Sequence, residues 1–106
     1  MKIADIEFEG PYIIDTTSIP ANKAAVYVII CKSSNGTNSV VDVGESGEMG
    51  IRLANHPRKS CWVRYCNSTL SVYLRYMPTS EGYDAASRRK LERMIRERYN
   101  PPCGKI

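Results

Sequence analysis

The sequence has no hydrophobic run long enough to cross a bilayer. Its longest apolar stretch covers residues 24–31, whereas a transmembrane helix needs about 20 apolar residues. The N-terminus turns acidic at Asp5 before any apolar run develops, so we expect neither a signal peptide nor a transit peptide. These absences favour a cytoplasmic protein.

Cysteine pairs of the zinc-binding kind are also missing. None of the four cysteines, Cys31, Cys61, Cys66 and Cys103, forms a Cys-x-x-Cys pair. The spacing of Cys61 and Cys66 is loose for structural zinc, and disulfides are rare in the cytoplasm. We therefore expect four free thiols.

The composition shows no bias towards a fibrous or disordered chain. Apolar residues make up 42% and charged residues 25% of the sequence, which contains neither internal repeats nor low-complexity segments. These values are ordinary for globular proteins and argue against disorder, collagen-like structure and coiled coils. A length of 106 residues suits a single domain, 1–106.

Charge is divided unevenly along the chain. Residues 1–50 contain three basic and seven acidic residues, a formal charge of −4, whereas residues 51–106 contain twelve basic and four acidic residues, a formal charge of +8. A basic half of this strength attracts polyanions, of which nucleic acid is the most common. A solvated basic face is the alternative.

A β-hairpin is predicted in the first half of the chain. Residues 26–31 are β-branched or aromatic at nearly every position, which is typical of a central strand. The Asn35-Gly36 turn signal follows, and residues 40–43 form a partner strand.

The register of this hairpin brings two polar side chains together. If the strands pair symmetrically about a loop over 32–39, Tyr27 lies opposite Gly44. Asp42 then lies on the same face of the sheet as Tyr27, one diagonal step away.

The rest of the chain completes a small α+β domain. An edge strand with a turn is expected over 3–14, a short helix over 51–55, a strand over 70–77 and a helix over 84–98. Asp84 is a suitable N-cap for the last helix, with its core positions at Leu91, Met94 and Ile95. The basic and aromatic stretch 58–68 has no assignment.

Several short motifs in this order resemble the GIY-YIG nuclease superfamily. The motifs are Ala25-Val26-Tyr27 in the buried strand, Asp42-Val43-Gly44 at the end of its hairpin partner, Arg52 and His56 on a helix, Glu92 on the last helix, and Asn100 after it. The resemblance covers about residues 24–104, with residues 1–23 as an N-terminal extension. It implies a central, mostly antiparallel three-stranded sheet flanked by helices, with an added N-terminal edge strand.

The resemblance implies a metal-dependent endonuclease that hydrolyses phosphodiester bonds in DNA. By position, Tyr27 corresponds to the tyrosine that acts as or assists the general base, and Arg52 to the arginine that contacts the scissile phosphate. His56 falls where several members have a histidine or tyrosine near the nucleophile. Glu92 corresponds to the carboxylate that holds Mg²⁺ or Mn²⁺, and Asn100 to a common asparagine after that helix.

Two residues depart from the family pattern. Ala25 replaces the first glycine, which a strand tolerates. Asp42 replaces the tyrosine of the second tripeptide, and a carboxylate there repels a phosphate unless a cation or Arg52 offsets it. Either Asp42 is a second metal ligand or base, or the domain has lost catalysis.

Each candidate also has a structural alternative. Tyr27 suits a strand core, His56 suits a helix end before a proline, and Glu92 has Arg88 and Arg96 at the spacing of a surface ion-pair ladder.

The second half offers candidate phosphate contacts. These are Lys59, Arg64, Arg88 and Arg89, joined by Asn100. Trp62 is either a stacking platform for bases or part of the core.

The leading hypothesis is therefore a small GIY-YIG-like DNA endonuclease. The alternatives are a catalytically silent nucleic-acid-binding module on the same fold and a protein-interaction domain with an incidental basic face. Because the chain has almost no additional DNA-binding segment, such an enzyme would recognise a simple structural feature, act as a homo-oligomer or rely on a partner protein.

Overall fold

The computed structural model describes residues 1–14, 23–48 and 56–104, which form an α+β arrangement. In chain order its elements are β1 (Lys2–Ile3), β2 (Ile6–Glu7), β3 (Glu9–Tyr12), β4 (Ala25–Lys32), β5 (Asn38–Ser46), α1 (Lys59–Arg64), β6 (Thr69–Tyr76), a 3₁₀ helix (Thr79–Glu81) and α2 (Ala85–Tyr99). The predicted helix over 51–55 lies outside the described residues.

The main sheet has four strands in the order β3-β6-β4-β5, and every neighbouring pair is antiparallel. Strands β1 and β2 form a separate two-stranded sheet. The expected arrangement, one central three-stranded sheet with an added N-terminal edge strand, did not include this second sheet, so the predicted number of sheets is wrong. The N-terminal strand β3 pairs with β6, with Glu9 opposite Leu74 and Tyr12 opposite Val72, and so covers a sheet edge that would otherwise present unpaired backbone groups.

Strand β4 lies in the centre of the sheet, as predicted from its apolar sequence. Residues 25–31 are all buried, because both faces of the strand are covered. One hydrophobic cluster contains Tyr27, Val72 and Trp62, and the other contains Val28 and Ile95. Trp62 is thus a core residue and not a stacking platform.

The hairpin register confirms the prediction on the side of the candidate site. Tyr27 pairs with Gly44, and Ile29 pairs with Asp42. Nearer the turn the loop is shorter than expected, since Lys32 pairs with Asn38, and a bulge at Val41 compensates for this difference. Tyr27 and Asp42 consequently share one face.

Helix α2 begins and ends as predicted. The Asp84 side chain accepts a hydrogen bond from the Ser87 backbone N–H at 2.8 Å, and Asn100 ends the helix in the left-handed conformation. Ile95 is buried, but Met94 is 42% exposed, so its core placement is wrong. The buried stripe is instead rotated towards Arg88.

Two disulfides replace the four free thiols that the sequence predicted. Cys31 is bonded to Cys66, and Cys61 to Cys103. The prediction was wrong because the fold brings together cysteines that are 35 and 42 residues apart. Disulfides are rare in the cytoplasm, so the two disulfides do not support the predicted cytoplasmic location, and the compartment is not determined. Among the described residues, no helix combines the length and hydrophobicity needed to span a membrane.

Candidate functional site

Tyr27 and His56 form a buried hydrogen-bonded pair. The phenol oxygen of Tyr27 contacts Nε2 of His56, and the two rings meet edge to face with their centroids 5.6 Å apart. The phenol occupies the space where a Cβ atom on Gly44 would lie. The glycine of the second tripeptide is therefore required by the tyrosine of the first.

The orientation of His56 is fixed by its neighbours. Its Nδ1 atom accepts a hydrogen bond from the Arg58 backbone N–H at 3.0 Å, and its ring packs against Trp62 at a centroid distance of 4.6 Å. Because Nδ1 is an acceptor, the proton of the neutral imidazole lies on Nε2. His56 therefore donates to the Tyr27 oxygen.

Asp42 is fully buried and lies at the centre of a hydrogen-bond network. Its Oδ2 atom accepts from Arg58 Nε and from Trp62 Nε1, both at 2.7 Å. Its Oδ1 atom accepts from Arg96 Nη2 at 2.7 Å and from the Val43 backbone N–H at 2.8 Å. This carboxylate ties α1, α2 and β5 together, and its negative charge is offset by two guanidinium groups.

Arg58 connects this network to the rest of the site. Burial opposes the charge on its guanidinium, but the hydrogen bond and charge of Asp42, with smaller contributions from Tyr27 and Glu92, outweigh burial and raise the pKa of Arg58. Arg58 therefore stays charged within reach of both Tyr27 and Glu92.

The C-terminal segment covers the Asp42 network. The Cys103 N–H donates to the Val41 carbonyl oxygen, and the Cys103 carbonyl oxygen accepts from Arg96 Nη1, each at 3.0 Å. Gly104 has a φ of +75°, and a Cβ atom there would lie 2.8 Å from Asp42 Oδ1. The disulfide to Cys61 fixes this segment in place.

Glu92 lies beside the network at a cationic cavity of about 320 Å³. The lining residues are Arg58, Arg89, Glu92, Arg93, Arg96 and Gly104. The Glu92 side chain is 25% exposed, and its Oε1 atom is 3.5 Å from Arg96 Nε. Burial raises the pKa of Glu92 and nearby Glu45 adds to the effect, while Arg96 and Arg58 oppose it.

Glu92 is the only carboxylate among the described residues that line this cavity. Within the described ranges, no group of three or more His, Cys, Asp or Glu side chains could enclose a metal ion. Mg²⁺, however, commonly binds through one or two carboxylates and keeps several waters and substrate phosphate oxygens as ligands. A lone, partly exposed Glu92 provides such a carboxylate.

The structure brings four of the predicted catalytic and metal-binding residues into one connected cluster. Tyr27 contacts His56, and Arg58 donates to His56 through its backbone N–H and to Asp42 through its side chain. Arg96 links Asp42 to Glu92. Arg52 lies outside the described residues.

The predicted nucleic-acid contacts are more dispersed. Arg89 is exposed and lines the cavity, while Lys59 and Arg64 lie at the two ends of α1. Arg88 is 7% exposed, and its Nε atom donates to Glu45 at 3.0 Å. Its guanidinium is therefore buried in an internal ion pair. Asn100 is the C-cap of α2.

Three further arginines, Arg58, Arg93 and Arg96, belong to the site, and none was a predicted site residue. The sequence did predict Arg96 as an ion-pair partner of Glu92, and the structure has this pair at 3.5 Å. Arg93 and Arg96 follow Arg89 and Glu92 by four residues each, and this spacing places all four side chains on one helical surface. That signal was available in the sequence. The contact of Arg58 with Asp42 had no local signal, because it depends on the packing of α1 against the sheet.

Comparisons with known proteins add no assignment: no protein-family model, curated protein or solved structure matches this chain.

Proposed function

We propose that this protein is a metal-dependent DNA endonuclease of the GIY-YIG type. The observation that carries the proposal is the connected cluster from Tyr27 through His56, Asp42 and the arginines to Glu92. Tyr27, His56 and Glu92 match the nuclease motifs in type and chain order, whereas Asp42 departs from them. Hydrogen bonds and an ion pair connect these residues, although Tyr27 and His56 do not line the cavity at Glu92. The connection supports the proposal because a base, a phosphate-binding cation and a metal ligand must act on the same bond in a phosphodiesterase.

The Tyr27–His56 pair supplies the proton-transfer group. An N–H that donates to the phenol oxygen stabilises negative charge on that oxygen. After the phenol has released its own proton to solvent, the Tyr27 phenolate accepts a proton from the attacking water and becomes the neutral phenol. The hydrogen bond from the Arg58 backbone holds His56 in the tautomer that donates to this oxygen. Arg58 and Arg52 are assigned to the phosphate.

Asp42 acts in this account as a positioning residue. The carboxylate that replaces the family tyrosine would repel a phosphate if it stood alone, but Arg58 and Arg96 offset its charge at 2.7 Å. The same contacts hold those guanidinium groups at the cavity. The departure from the family motif is therefore compatible with catalysis.

Glu92 is assigned to the divalent cation, Mg²⁺ or Mn²⁺. Such an ion, when bound, neutralises charge on the phosphate and stabilises the leaving oxygen. Glu92 lines the same cavity as four arginines, which supports this assignment because guanidinium groups commonly bind phosphate oxygens.

A catalytically silent nucleic-acid-binding module is the second candidate. The observation that favours it is burial: Tyr27 is 1% and His56 4% exposed, and they contact each other. A pair of this kind also serves as a structural hydrogen bond within a core.

Tyr27→Phe separates the two candidates. The variant keeps the ring over Gly44 but removes the oxygen. For a nuclease we expect DNA binding in EDTA to be unchanged and Mg²⁺-dependent cleavage to fall by at least about 100-fold. A silent module would show no cleavage by the parent protein with either Mg²⁺ or Mn²⁺.

A further inference from the structure

The arginine-lined cavity has more positive charge than one backbone phosphate would use. Arg58, Arg89, Arg93 and Arg96 contribute four guanidinium groups. Among the residues that the structure describes, Asp42 and Glu92 are the carboxylates that contact members of this group. Within this part of the chain, two positive charges therefore remain without a carboxylate to offset them.

The cavity is lined by three separate segments and is partly open to solvent. Helix α2 provides one wall, Arg58 at the start of α1 provides the second, and Gly104 in the C-terminal segment provides the third. The strand of a nucleic acid continues in both directions from an internal phosphate but in only one direction from a terminal phosphate. A cavity with walls from three segments leaves less room for a strand that continues in both directions than for a strand that ends.

The arginines are held in a suitable arrangement before any ligand binds. The Asp42 carboxylate accepts hydrogen bonds from Arg58 Nε and Arg96 Nη2, each at 2.7 Å. Arg89 and Arg93 are exposed on the side of α2 that lines the cavity. Guanidinium groups form charge-assisted, often bidentate hydrogen bonds with phosphate oxygens. Preorganisation of two of the four lowers the entropy cost of binding.

We propose that this cavity is a binding site for a terminal phosphate monoester of a nucleic acid strand. A phosphate monoester has a charge of about −1.5 to −2 at neutral pH, which matches the two uncompensated positive charges, whereas a diester has a single negative charge. The inference deepens the proposed function and rests on it only for the identity of the nucleic acid. It directs the protein to strand ends or nicks that bear a phosphate.

The test compares three fluorescently labelled oligonucleotides of one sequence, with a 5′-phosphate, a 3′-phosphate or hydroxyls at both ends. Binding to the full chain is measured in EDTA, so that neither cleavage nor a metal ion contributes. We expect one of the phosphorylated strands to bind at least about tenfold more tightly than the hydroxyl strand. Inorganic phosphate should compete away this advantage.

The matched variants are Arg89→Gln/Arg93→Gln and Arg98→Gln. All three positions are exposed arginines on α2, but Arg98 does not line the cavity. With the double variant, the ratio of the affinities for the phosphorylated and the hydroxyl strand should fall to about one. Arg98→Gln should leave this ratio as it is in the parent protein. Arg93→Gln alone should give an affinity ratio between those of the parent and the double variant. This single variant replaces the double variant in the test if the double variant does not fold.

Equal binding of the three strands by the parent protein would overturn the proposal, as would loss of the preference in Arg98→Gln. The proposed nuclease activity is tested separately. Cleavage without a terminal-phosphate preference removes the monoester site and leaves the nuclease, whereas a preference without cleavage removes the nuclease and leaves the site.

Discussion

The phenol of Tyr27 occupies the position that a Cβ atom on Gly44 would take. The two residues face each other across β4 and β5, so the tyrosine is accommodated only because the opposite residue has no side chain. Gly44→Ala should therefore lower the free energy of unfolding by about 1–3 kcal/mol or more, as overpacking a buried site does. Urea unfolding measures the effect.

Gly47→Ala is the matched control for this substitution. A Cβ atom at Gly47 meets only ordinary contact, with Arg88 Nη2 3.8 Å away. Its effect should stay within about 0.5 kcal/mol. Equal destabilisation by the two variants would show that the Tyr27 contact is not the reason for a glycine at position 44.

Asp42→Asn should be among the most destabilising single substitutions in the chain. It removes the charge that offsets two arginines at a fully buried position. Breaking a buried ion pair costs about 3–5 kcal/mol. Thermal unfolding of the parent and the variant tests this estimate.

Asp42→Tyr, which places the tyrosine of the GIY-YIG motif at this position, should destabilise the protein further, because an aromatic ring cannot accept the hydrogen bonds that Arg58, Trp62 and Arg96 donate to the carboxylate. A stable, more active Asp42→Tyr variant would contradict the positioning role of Asp42.

The sequence predicted the position of Asp42 but not its contacts. Hairpin pairing is local, so the shared face of Tyr27 and Asp42 followed from the turn. That result held because the bulge at Val41 compensated for a shorter loop, and no sequence pattern indicated such a bulge. The donors to Asp42 come from positions 58, 62 and 96, which only the packing of α1 and α2 brings together.

The disulfide pairs were not predicted for the same reason, because they also depend on long-range packing. Spacing rules describe pairs that are close in sequence, whereas Cys31 and Cys66 are 35 residues apart and meet across the fold. The motif order, by contrast, singled out Tyr27, His56 and Glu92, which the structure connects through Asp42, Arg58 and Arg96. Their catalytic roles stay predictions.

Reduction of the disulfides should weaken the fold substantially. Each disulfide closes a loop of 35 or 42 residues, and a loop of this length stabilises a protein by about 2–4 kcal/mol. Denaturant unfolding with and without a thiol reductant measures this change. Peptide mapping without reduction should recover the Cys31–Cys66 and Cys61–Cys103 pairs, and any other pairing would contradict the structure.

The stability of the protein should depend on the ionisation of Glu92. Burial raises the pKa of Glu92 above its ordinary value of 4.5, so the folded state holds this proton more tightly than the unfolded state. The free energy of unfolding of the parent should therefore fall, relative to that of Glu92→Gln, as pH rises from 4.5 through the folded pKa.

Urea unfolding of the parent and Glu92→Gln at several pH values from 4 to 8 gives this difference directly. The ion pair of Glu92 with Arg96 lowers the pKa of Glu92 and so opposes the effect of burial. A difference that grows in favour of the parent with rising pH would show that this ion pair, and not burial, controls Glu92.

Cleavage of supercoiled plasmid DNA by the parent and by Glu92→Gln is the most direct test of the catalytic cluster. The parent should convert supercoiled plasmid to nicked or linear DNA with Mg²⁺ or Mn²⁺ and not in EDTA. Glu92→Gln, which keeps the shape of the side chain but removes the metal-binding charge, should reduce the rate to background while the protein remains folded. Cleavage that survives Glu92→Gln, or a parent that cleaves with neither ion, would contradict the account.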